Sequence, residues 1–393
     1  MKALVVDVET TCLKLHPKEL DGNPFAGVNK LCYVGLLDWK GQYHDFDIEY
    51  SDNPYGDKLK QIQEMINEHD VLVGFNIKFD LHWLDRYGLE FVEKRIWDAQ
   101  LVEFLLSSQS TPYPSLDGTC TKYGFEGKLD VVKESFWNKG VDTDKIPVPI
   151  LREYLQNDVQ VTNKLFLHQR EIVPDSLRRL ISLQNQDLLV LQEIEANGMC
   201  YDVQTSQTKG DEIQETLNAM DSKLNDSSGF SGFNPGSGDH VSALLYGGFL
   251  NYSVREAFIF TYKDGRTKEK ERWTDKQITF PRLVEPLKGS ALKKEGYYAT
   301  DQGTLSSLVY RGPTAKVAKG IVALILERAL LEKLRGTYLH GLPARIVKSG
   351  WEAGMIHGQL NQCVAITGRL SSSKPNLQNM DSNIGYLFKS RNV

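Results

Sequence analysis

Hydrophobic and polar positions follow two different patterns along the 393 residues. In the first half, short apolar runs of strand-like composition alternate with segments of helical spacing. The predicted strands cover 2–8, 31–37, 43–50 and 71–75, and the predicted helices cover 59–68, 80–86 and 150–171. This alternation predicts an α/β domain with a mixed sheet.

The second half is mainly helical. Helices are predicted over 177–197, 205–224 and 315–338, and a Ser- and Gly-rich loop over 227–239. A polar, strand-like stretch with eleven basic and seven acidic residues fills 250–296, and Lys263-Asp264-Gly265 marks a turn within it. The boundary between the halves is predicted near Pro174 and Asp175, which gives domains 1–174 and 175–393.

Charge changes sign at nearly the same boundary. Residues 1–175 contain 19 Lys and Arg against 29 Asp and Glu, whereas residues 176–393 contain 27 against 22. An acidic half suits cations and a basic half suits phosphates, although chance drift of surface charge is an equal alternative. The sequence has no apolar run of membrane-spanning length, no signal-peptide pattern and five scattered cysteines. We therefore expect a cytoplasmic location, no membrane contact and reduced thiols.

Four carboxylates and a phenol of the first half are candidates for metal-dependent chemistry. Asp7 and Glu9 are two residues apart on a predicted strand, so both face the same side. Asp80 begins a predicted helix, and Tyr154 and Asp158 share one face of another. Each signal alone is weak, because such pairs are common on surfaces. Together they offer the oxygen ligands with which two Mg²⁺ or Mn²⁺ ions hydrolyse a phosphodiester, and a phenol to orient the attacking water.

The segments DVET, GFNIKFD and YLQND resemble, in order and spacing, the three motifs of the DEDDy 3′–5′ exonucleases, which have an RNase H-like fold. The resemblance covers residues 1–174. It implies that the four carboxylates hold two metal ions, Asp80 mainly through a bound water, and that Tyr154 orients the nucleophilic water. It also implies contacts to the 3′-terminal nucleotide from Thr10, Leu13 and Asn76.

A second resemblance covers the basic half. The segments LLVLQEIEANGMCYD, FNPGSGDHVSALLY and ILERALLEKLRGTYLHGLP resemble, in order, the thumb of family A DNA polymerases. The segment ITGRLSSSKPNLQNM, residues 366–380, resembles the part of the palm that lies against the primer–template duplex. The Arg369 guanidinium suits minor-groove acceptors or phosphate, and Ser371 to Ser373 can bond phosphates. The DNA contacts implied by these segments are Lys333, Arg335, Thr367, Arg369, Asn376 and Gln378.

These resemblances predict the N-terminal part of a bacteriophage-type family A polymerase. We expect an α/β RNase H-like exonuclease domain, followed by a mainly α thumb with a β-hairpin insertion and an incomplete palm. The family's later aspartate motifs do not occur in the sequence. Nucleotidyl transfer is therefore not expected from this chain alone, and a second chain with the remaining palm and fingers is expected.

The other expected partners are single-stranded DNA 3′ ends, primer–template duplex and a processivity factor, in the cytoplasm of a bacterial host if the source is a phage. Two alternatives stay open: a DEDDy nuclease that trims RNA, and a non-catalytic DNA-binding subunit of a split polymerase. The stretch 250–296 is either a solvated hairpin or an insertion that grips DNA or binds a partner.

Overall fold

The computed structural model describes residues 1–127 and 131–390. Its strands, in chain order, are β1 (Ala3–Thr10), β2 (Leu31–Leu37), β3 (Tyr43–Asp47), β4 (Val71–Gly74), β5 (Arg95–Asp98), β6 (Met199–Tyr201), β7 (Gly248–Thr261), β8 (Thr267–Phe280), β9 (Met355–Ile356), β10 (Gln359–Asn361), β11 (Ser371–Ser373) and β12 (Phe388–Lys389). Its helices are α1 (Gly56–Glu68), α2 (Ile77–Arg86), α3 (Ala99–Leu106), α4 (Leu116–Lys122), α5 (Val131–Ser135), α6 (Val148–Ile172), α7 (Asp175–Asn197), α8 (Val203–Ser228), α9 (Gly238–Tyr246), α10 (Gln302–Ser306), α11 (Ala315–Lys333) and α12 (Gly341–Lys348).

The first half is built on a five-stranded mixed sheet in the order β3-β2-β1-β4-β5. β2 pairs with β1 and β3 in antiparallel fashion, whereas β4 runs parallel to β1 and β5. β1 is central and almost entirely buried, which explains why its residues are nearly all apolar or β-branched. Side chains alternate across this strand: Leu4, Val6 and Val8 pack with α1 and α2, and Val5 packs with α6. The predicted α/β architecture is confirmed.

Several predicted element limits were wrong. α2 begins at Ile77, so Asp80 lies in its first turn and does not open the helix. The predicted loop 227–239 is partly helical, because α8 continues to Ser228 and α9 begins at Gly238. The strand-like stretch ends at Phe280. The helix predicted over 315–338 is confirmed, because α11 continues directly into a π-helical turn over Leu334–Leu339.

The chain divides into two compact units that do not coincide with the predicted domains. The first unit comprises residues 1–203 and 342–393, and the second comprises 204–341. The palm-like segment therefore packs in the same unit as the first half. The domain boundary near Pro174 stays a prediction about evolutionary domains. Among helices of the described residues, none combines the length and apolarity needed to cross a membrane.

The second unit consists of helices and one long two-stranded ribbon. β7 and β8 pair over fourteen residues each, from Gly248 opposite Phe280 to Thr261 opposite Thr267. Leu250 and Phe280, at the base of the ribbon, are buried with residues of α9 and α11. The predicted β-hairpin insertion is thus present, and most of its length extends beyond this core.

Candidate active site

β1 places Asp7 and Glu9 on the sheet face that packs against α6. Both follow Val5 at alternate positions, and Val5 belongs to the core cluster shared with α6. Glu9 is 5% exposed, and the pairing of β1 with β2 becomes irregular directly after it, between Glu9 and Thr10. The strand thus presents two carboxylates toward one helix.

α6 supplies the third carboxylate, and Gly35 allows this helix to come close to the sheet. Gly35 lies on β2 opposite Asp7. A Cβ at Gly35 would lie 2.8 Å from Cγ of Leu155, which is fully buried on α6. The absence of a side chain therefore brings the helix onto the sheet at the level of Asp7. One turn of helix carries both Tyr154 and Asp158 on that side.

The three carboxylates form one cluster. Asp7, Glu9 and Asp158 each offer an oxygen within 4.8 Å of the others. They line a cavity of about 250 Å³ together with Asp80 and Tyr154. The Tyr154 ring is also held edge-on by Trp137, with centroids 6.2 Å apart. The structure thus brings together all five residues that the sequence singled out for chemistry.

Asp80 is buried and fixed by the backbone of β1. Its Oδ1 accepts a hydrogen bond of 3.1 Å from the Val8 N–H. Burial, and then the negative charge of Asp7, raise the pKa of this carboxyl well above its usual range. Crowded buried acids of this kind need a compensating positive charge to ionise together. Hard carboxylate oxygens fit a divalent cation such as Mg²⁺ or Mn²⁺, so the donor set suits the expected metal.

The predicted contacts to a 3′-terminal nucleotide separate into two groups. Thr10 and Asn76 line the acidic cavity. Asn76 occupies the N-cap position of α2, and its backbone has left-handed dihedral angles. Its side chain makes no capping hydrogen bond. Leu13 is buried and its N–H donates to Asp142, and it is not among the residues that line this cavity. The contact of Leu13 with the terminal nucleotide stays a prediction, and Leu20 and Phe79 lie in the cavity wall.

A second, larger cavity lies beside the acidic one in the same unit. It measures about 460 Å³, and Leu20, Asn76 and Phe79 line both cavities. Its wall includes the basic side chains of Arg345, Lys348 and Lys374 from the C-terminal part of the unit. Within the described residues, the Nε of Arg345 is buried without a hydrogen-bond partner. Positive charge therefore adjoins the acidic cavity.

The predicted DNA contacts of the second half are mostly on the surface. Five of them are exposed: Lys333, Thr367, Arg369, Asn376 and Gln378. Arg335 is half-buried, with its Nε enclosed and unbonded among the described residues. Asn376 is exposed, but its side chain caps a helical turn by accepting from Gln378 N–H. These positions are open to DNA, although no contact is tested by the structure.

One part of the phosphate prediction needs correction. Ser372 is 8% exposed, and its Oγ accepts from the Leu377 N–H at 3.0 Å. The same hydroxyl lies 3.4 Å from the Pro375 carbonyl. Ser372 therefore stabilises the turn of the palm-like segment, because its hydroxyl is already used within the chain.

Three buried acids that organise this unit were not predicted from the sequence. Asp98 accepts from the N–H groups of Asn76, Gln100 and Leu101, and thereby holds the turn that carries Asn76. Asp142 accepts from Cys12 and Leu13 N–H and fixes the loop after β1. Both act on residues far away along the chain, so only a motif of the family or a contact map would reveal them.

Glu195 of α7 is the third such acid, and it links distant parts of the first unit. Its carboxylate accepts from Lys78 Nζ at 2.6 Å and from Leu360 N–H at 2.5 Å, and it lies 2.8 Å from His82 Nε2. The residue is 3% exposed. It therefore joins the helix of Asp80 to β10.

Comparison with known proteins supports both halves of the assignment. Residues 2–173 match the family model described as 3′-5′ exonuclease, and residues 275–392 match the model of DNA polymerase family A. DNA polymerase I of Pseudomonas aeruginosa is 27% identical over 389 residues, which is 96% of this chain and 36% of that protein. DNA polymerase I of Synechocystis is 27% identical over 312 residues, covering 78% of this chain and 26% of that protein.

Local identity is higher in the thermostable DNA polymerase I of Thermus filiformis, at 47% over 88 residues, or 22% of this chain and 9% of that protein. The fold is shared with the POL domain of Pol1 from M. smegmatis, solved as a complex with DNA primer-template and dNTP. The TM-score is 0.60 and the identity is 16%, over 97% of this chain and 52% of that one. The chain spans about a third of the length of the first curated relatives. It consists of a 3′-5′ exonuclease domain followed by the start of a family A DNA polymerase domain, as in DNA polymerase I.

Proposed function

We propose that this chain removes nucleotides from DNA 3′ ends by two-metal-ion hydrolysis of the DEDDy type, with Mg²⁺ or Mn²⁺ as cofactor. The observation that carries the proposal is the cluster of Asp7, Glu9 and Asp158, whose oxygens lie within 4.8 Å of one another. Asp80 and Tyr154 line the same cavity.

The side chains of the cavity have separate tasks in this proposal. Asp7, Glu9 and Asp158 would hold the two ions, and Asp80 would complete the negative charge around them. Bound divalent ions would supply electrophilic stabilisation of the phosphate and its leaving oxygen. Tyr154 would hold the attacking water through its hydroxyl, because its ring is fixed by Trp137. Thr10 and Asn76 would hold the terminal nucleotide, since both line the cavity.

The larger cavity is the proposed path of the DNA strand that leads to the terminal nucleotide. It shares Leu20, Asn76 and Phe79 with the acidic cavity. Arg345, Lys348 and Lys374 on its wall would pair with phosphates, which also separates these anions from the acidic cluster.

We also propose that the polymerase segment contacts a primer–template duplex, as part of a polymerase that acts in DNA replication. The exposed positions of Thr367, Arg369 and Gln378 support this role. The bacteriophage-type assignment and the processivity factor stay predictions, since the curated relatives compared above are bacterial. Those relatives are single chains, and the comparisons do not support the expected second chain.

The proposal is tested by digestion of 5′-labelled single-stranded DNA with Mg²⁺. Asp7→Ala and Asp158→Asn should each lower the rate about a thousandfold or more, since loss of one ligand removes charge stabilisation in the transition state. Tyr154→Phe should be milder, about tenfold to a hundredfold, because the carboxylates remain. Asp57→Asn, which changes an exposed acid on α1, is the matched control.

Near-normal digestion by Asp7→Ala would contradict the site assignment. The same assay with an RNA oligonucleotide of equal sequence shows whether DNA or RNA is the better substrate. Faster digestion of RNA would favour the alternative of an RNA-trimming nuclease. Digestion that persists in EDTA would contradict the metal requirement.

A further inference from the structure

The ribbon of β7 and β8 has two chemically different faces. Residues directly opposite each other in an antiparallel pair project to the same side, and so do residues two apart along a strand. The observed register therefore assigns each side chain to a face. The basic–aromatic face consists of Tyr252, Phe258, Phe260, Lys268, Lys270, Arg272 and Lys276, with Val254, Glu256 and Thr274 between them. The acidic face carries Arg255, Glu269, Glu271, Trp273 and Asp275.

This separation of charge is not visible in the sequence. The whole stretch alternates Lys, Glu and Arg, so it reads as a mixed, solvated surface. The register places four cations and one acid, Glu256, on the first face, and one cation and three acids on the other. Glu256 is already paired with Lys276 at 2.5 Å. Lys268 and Lys270 lie opposite Phe260 and Phe258, whereas Arg272 lies opposite Glu256.

Cations and rings on this face are directly associated. Lys270 Nζ lies 3.7 Å from the centroid of Phe260 and 5.5 Å from that of Tyr262. The guanidinium of Arg272 lies 5.3 Å from the centroid of Phe258. Phe258 and Phe260 are two residues apart, hence about 7 Å along the strand. A row of rings flanked by cations is the arrangement with which proteins stack bases and neutralise phosphates of a single strand.

A purely structural role does not explain the arrangement. Lysines on open edge strands prevent edge-to-edge aggregation, but that role works on either face and needs no aromatic side chains. Phe260 is 37% exposed, and Tyr262 in the connecting loop is 39% exposed. Exposed rings are unfavourable in water unless another surface covers them. Trp273 on the acidic face is 65% exposed as well, so the excess of cations, and not the exposure of rings, distinguishes the basic–aromatic face. A covering surface for that face would therefore be anionic.

We propose that the basic–aromatic face of the ribbon binds single-stranded DNA. Lys268, Lys270 and Arg272 contact phosphates, and Phe258 and Phe260 stack on bases. A single strand can follow one face of the ribbon, whereas a duplex groove would also bring phosphates near Glu269, Glu271 and Asp275. The inference rests on the proposed function only for the choice of DNA as the polymer. The ribbon would be a second DNA contact, made of residues separate from the acidic cavity.

The test uses a matched pair of charge reversals in the full chain. Lys270→Glu changes the basic–aromatic face, and Arg255→Glu changes the acidic face, where Arg255 also lies over a ring, that of Trp273, at 5.1 Å. Binding is measured by fluorescence anisotropy on a closed circular single-stranded oligonucleotide. This probe has no 3′ end, so its binding does not require a 3′ end to enter the exonuclease site. Lys270→Glu should weaken binding about fivefold to tenfold, and Arg255→Glu should leave it within about twofold.

A second pair of variants tests the contribution of the aromatic rings to binding. Phe260→Ala should weaken binding of the circle by a similar factor, and Trp273→Ala, on the acidic face, should not. Equal loss in both members of either pair, or loss in neither, would overturn the proposal. A larger loss on a duplex minicircle than on the single-stranded circle would overturn the assignment to single strands. Digestion of a linear oligonucleotide by the same variants reports the exonuclease separately, so failure of one hypothesis is distinguishable from failure of the other.

Discussion

Asp80 is held by the strand that carries Asp7 and Glu9, although it belongs to a helix. Its oxygen accepts from the Val8 N–H, between Asp7 and Glu9 in sequence, so these three carboxylates share one rigid support. Burial and the charge of Asp7 raise its pKa. Burial and a neighbouring negative charge favour the protonated acid, and a bound cation would favour the ionised form, so binding of a divalent ion and ionisation of the cavity are coupled.

A single-residue prediction concerns Glu195. Burial alone would raise the pKa of this carboxyl, but the hydrogen bond with His82 and the charge of Lys78 leave it below its ordinary value. A lowered pKa in the folded state stabilises the fold above the ordinary pKa of Glu, about 4.3, and this contribution is lost as pH falls through the folded value. The Glu195→Gln variant should be less stable at pH 7 by about 2–4 kcal/mol.

The measurement is urea unfolding of both proteins at several pH values. The difference between wild type and Glu195→Gln should be constant from pH 7 to about pH 5 and should shrink below about pH 4. Glu193→Gln, a change two residues earlier on the same helix at an exposed position, is the control. A difference that does not vary with pH would show that Glu195 stabilises the fold by shape alone.

At the scale of elements, the approach of one helix to one strand decides the geometry of the site. α6 carries Tyr154 and Asp158, and its distance from β2 is set where Leu155 packs over Gly35. A shift of the helix would move Asp158 away from Asp7 and Glu9. The site is therefore sensitive to packing at a position that contains no functional group.

Gly35→Ala should demonstrate this dependence. Its Cβ would approach Leu155 Cγ to 2.8 Å in a buried core, so we expect a loss of about 1–3 kcal/mol in unfolding free energy. Exonuclease rate should fall about tenfold or more, because catalysis depends on sub-ångström placement of metal ligands. Thermal unfolding and digestion of single-stranded DNA measure the two effects.

The double variant Gly35→Ala/Leu155→Ala is the matched control for the clash. Leu155→Ala alone leaves a cavity, but in the double variant the new methyl group occupies part of that space. The double variant should therefore lose less unfolding free energy than the sum of the losses in the two single variants. Strict additivity would indicate that the two side chains do not meet.

At the scale of the whole molecule, an acidic exonuclease half is followed by a basic half with exposed cations. Arg369 and Lys333 are exposed, and both lie within the region that matches the model of DNA polymerase family A. Exposure alone does not establish contact, so salt dependence is the informative measurement.

Arg369→Ala should weaken binding to a primer–template duplex by about 1–3 kcal/mol, with little dependence on sequence. Lys333→Ala should also reduce the slope of log K against log salt by about 0.9 for one phosphate contact. Lys60→Ala, which removes an exposed cation from α1, should change neither value. Unaltered duplex binding in both variants would remove these two residues from the DNA surface.

For the isolated chain we predict exonuclease activity without polymerase activity. Within the described residues, the group Asp7, Glu9 and Asp158 is the only cluster of three or more side chains suited to a metal. Nucleotidyl transfer needs such a cluster beside the incoming triphosphate. The purified 393-residue chain should therefore digest single-stranded DNA and show no template-directed incorporation of dNTPs. Primer extension by a pure sample that retains its exonuclease would contradict this prediction.

The sequence was sufficient to predict the fold class, the five residues of the acidic cavity and both family relationships, because motif residues and strand patterns are local. It was not sufficient for Gly35, Asp98 and Glu195. Each of these acts on a residue far away along the chain, and no local pattern records that contact. The two faces of the ribbon were also unpredictable, because they depend on which residue of β7 lies opposite which residue of β8.

The ribbon enters and leaves its core at one place, where Gly248 lies opposite Phe280. Its outer part can therefore lengthen or shorten during evolution without disturbing Leu250 or Phe280 below it. Whether the number of inserted pairs is even or odd matters, however, because successive cross-strand pairs project to opposite sides of the ribbon. Insertion of two cross-strand pairs preserves the orientation of every outer side chain, whereas insertion of one pair exchanges the two faces. Relatives with ribbons of different length should thus differ by even numbers of pairs wherever the charged face has been kept.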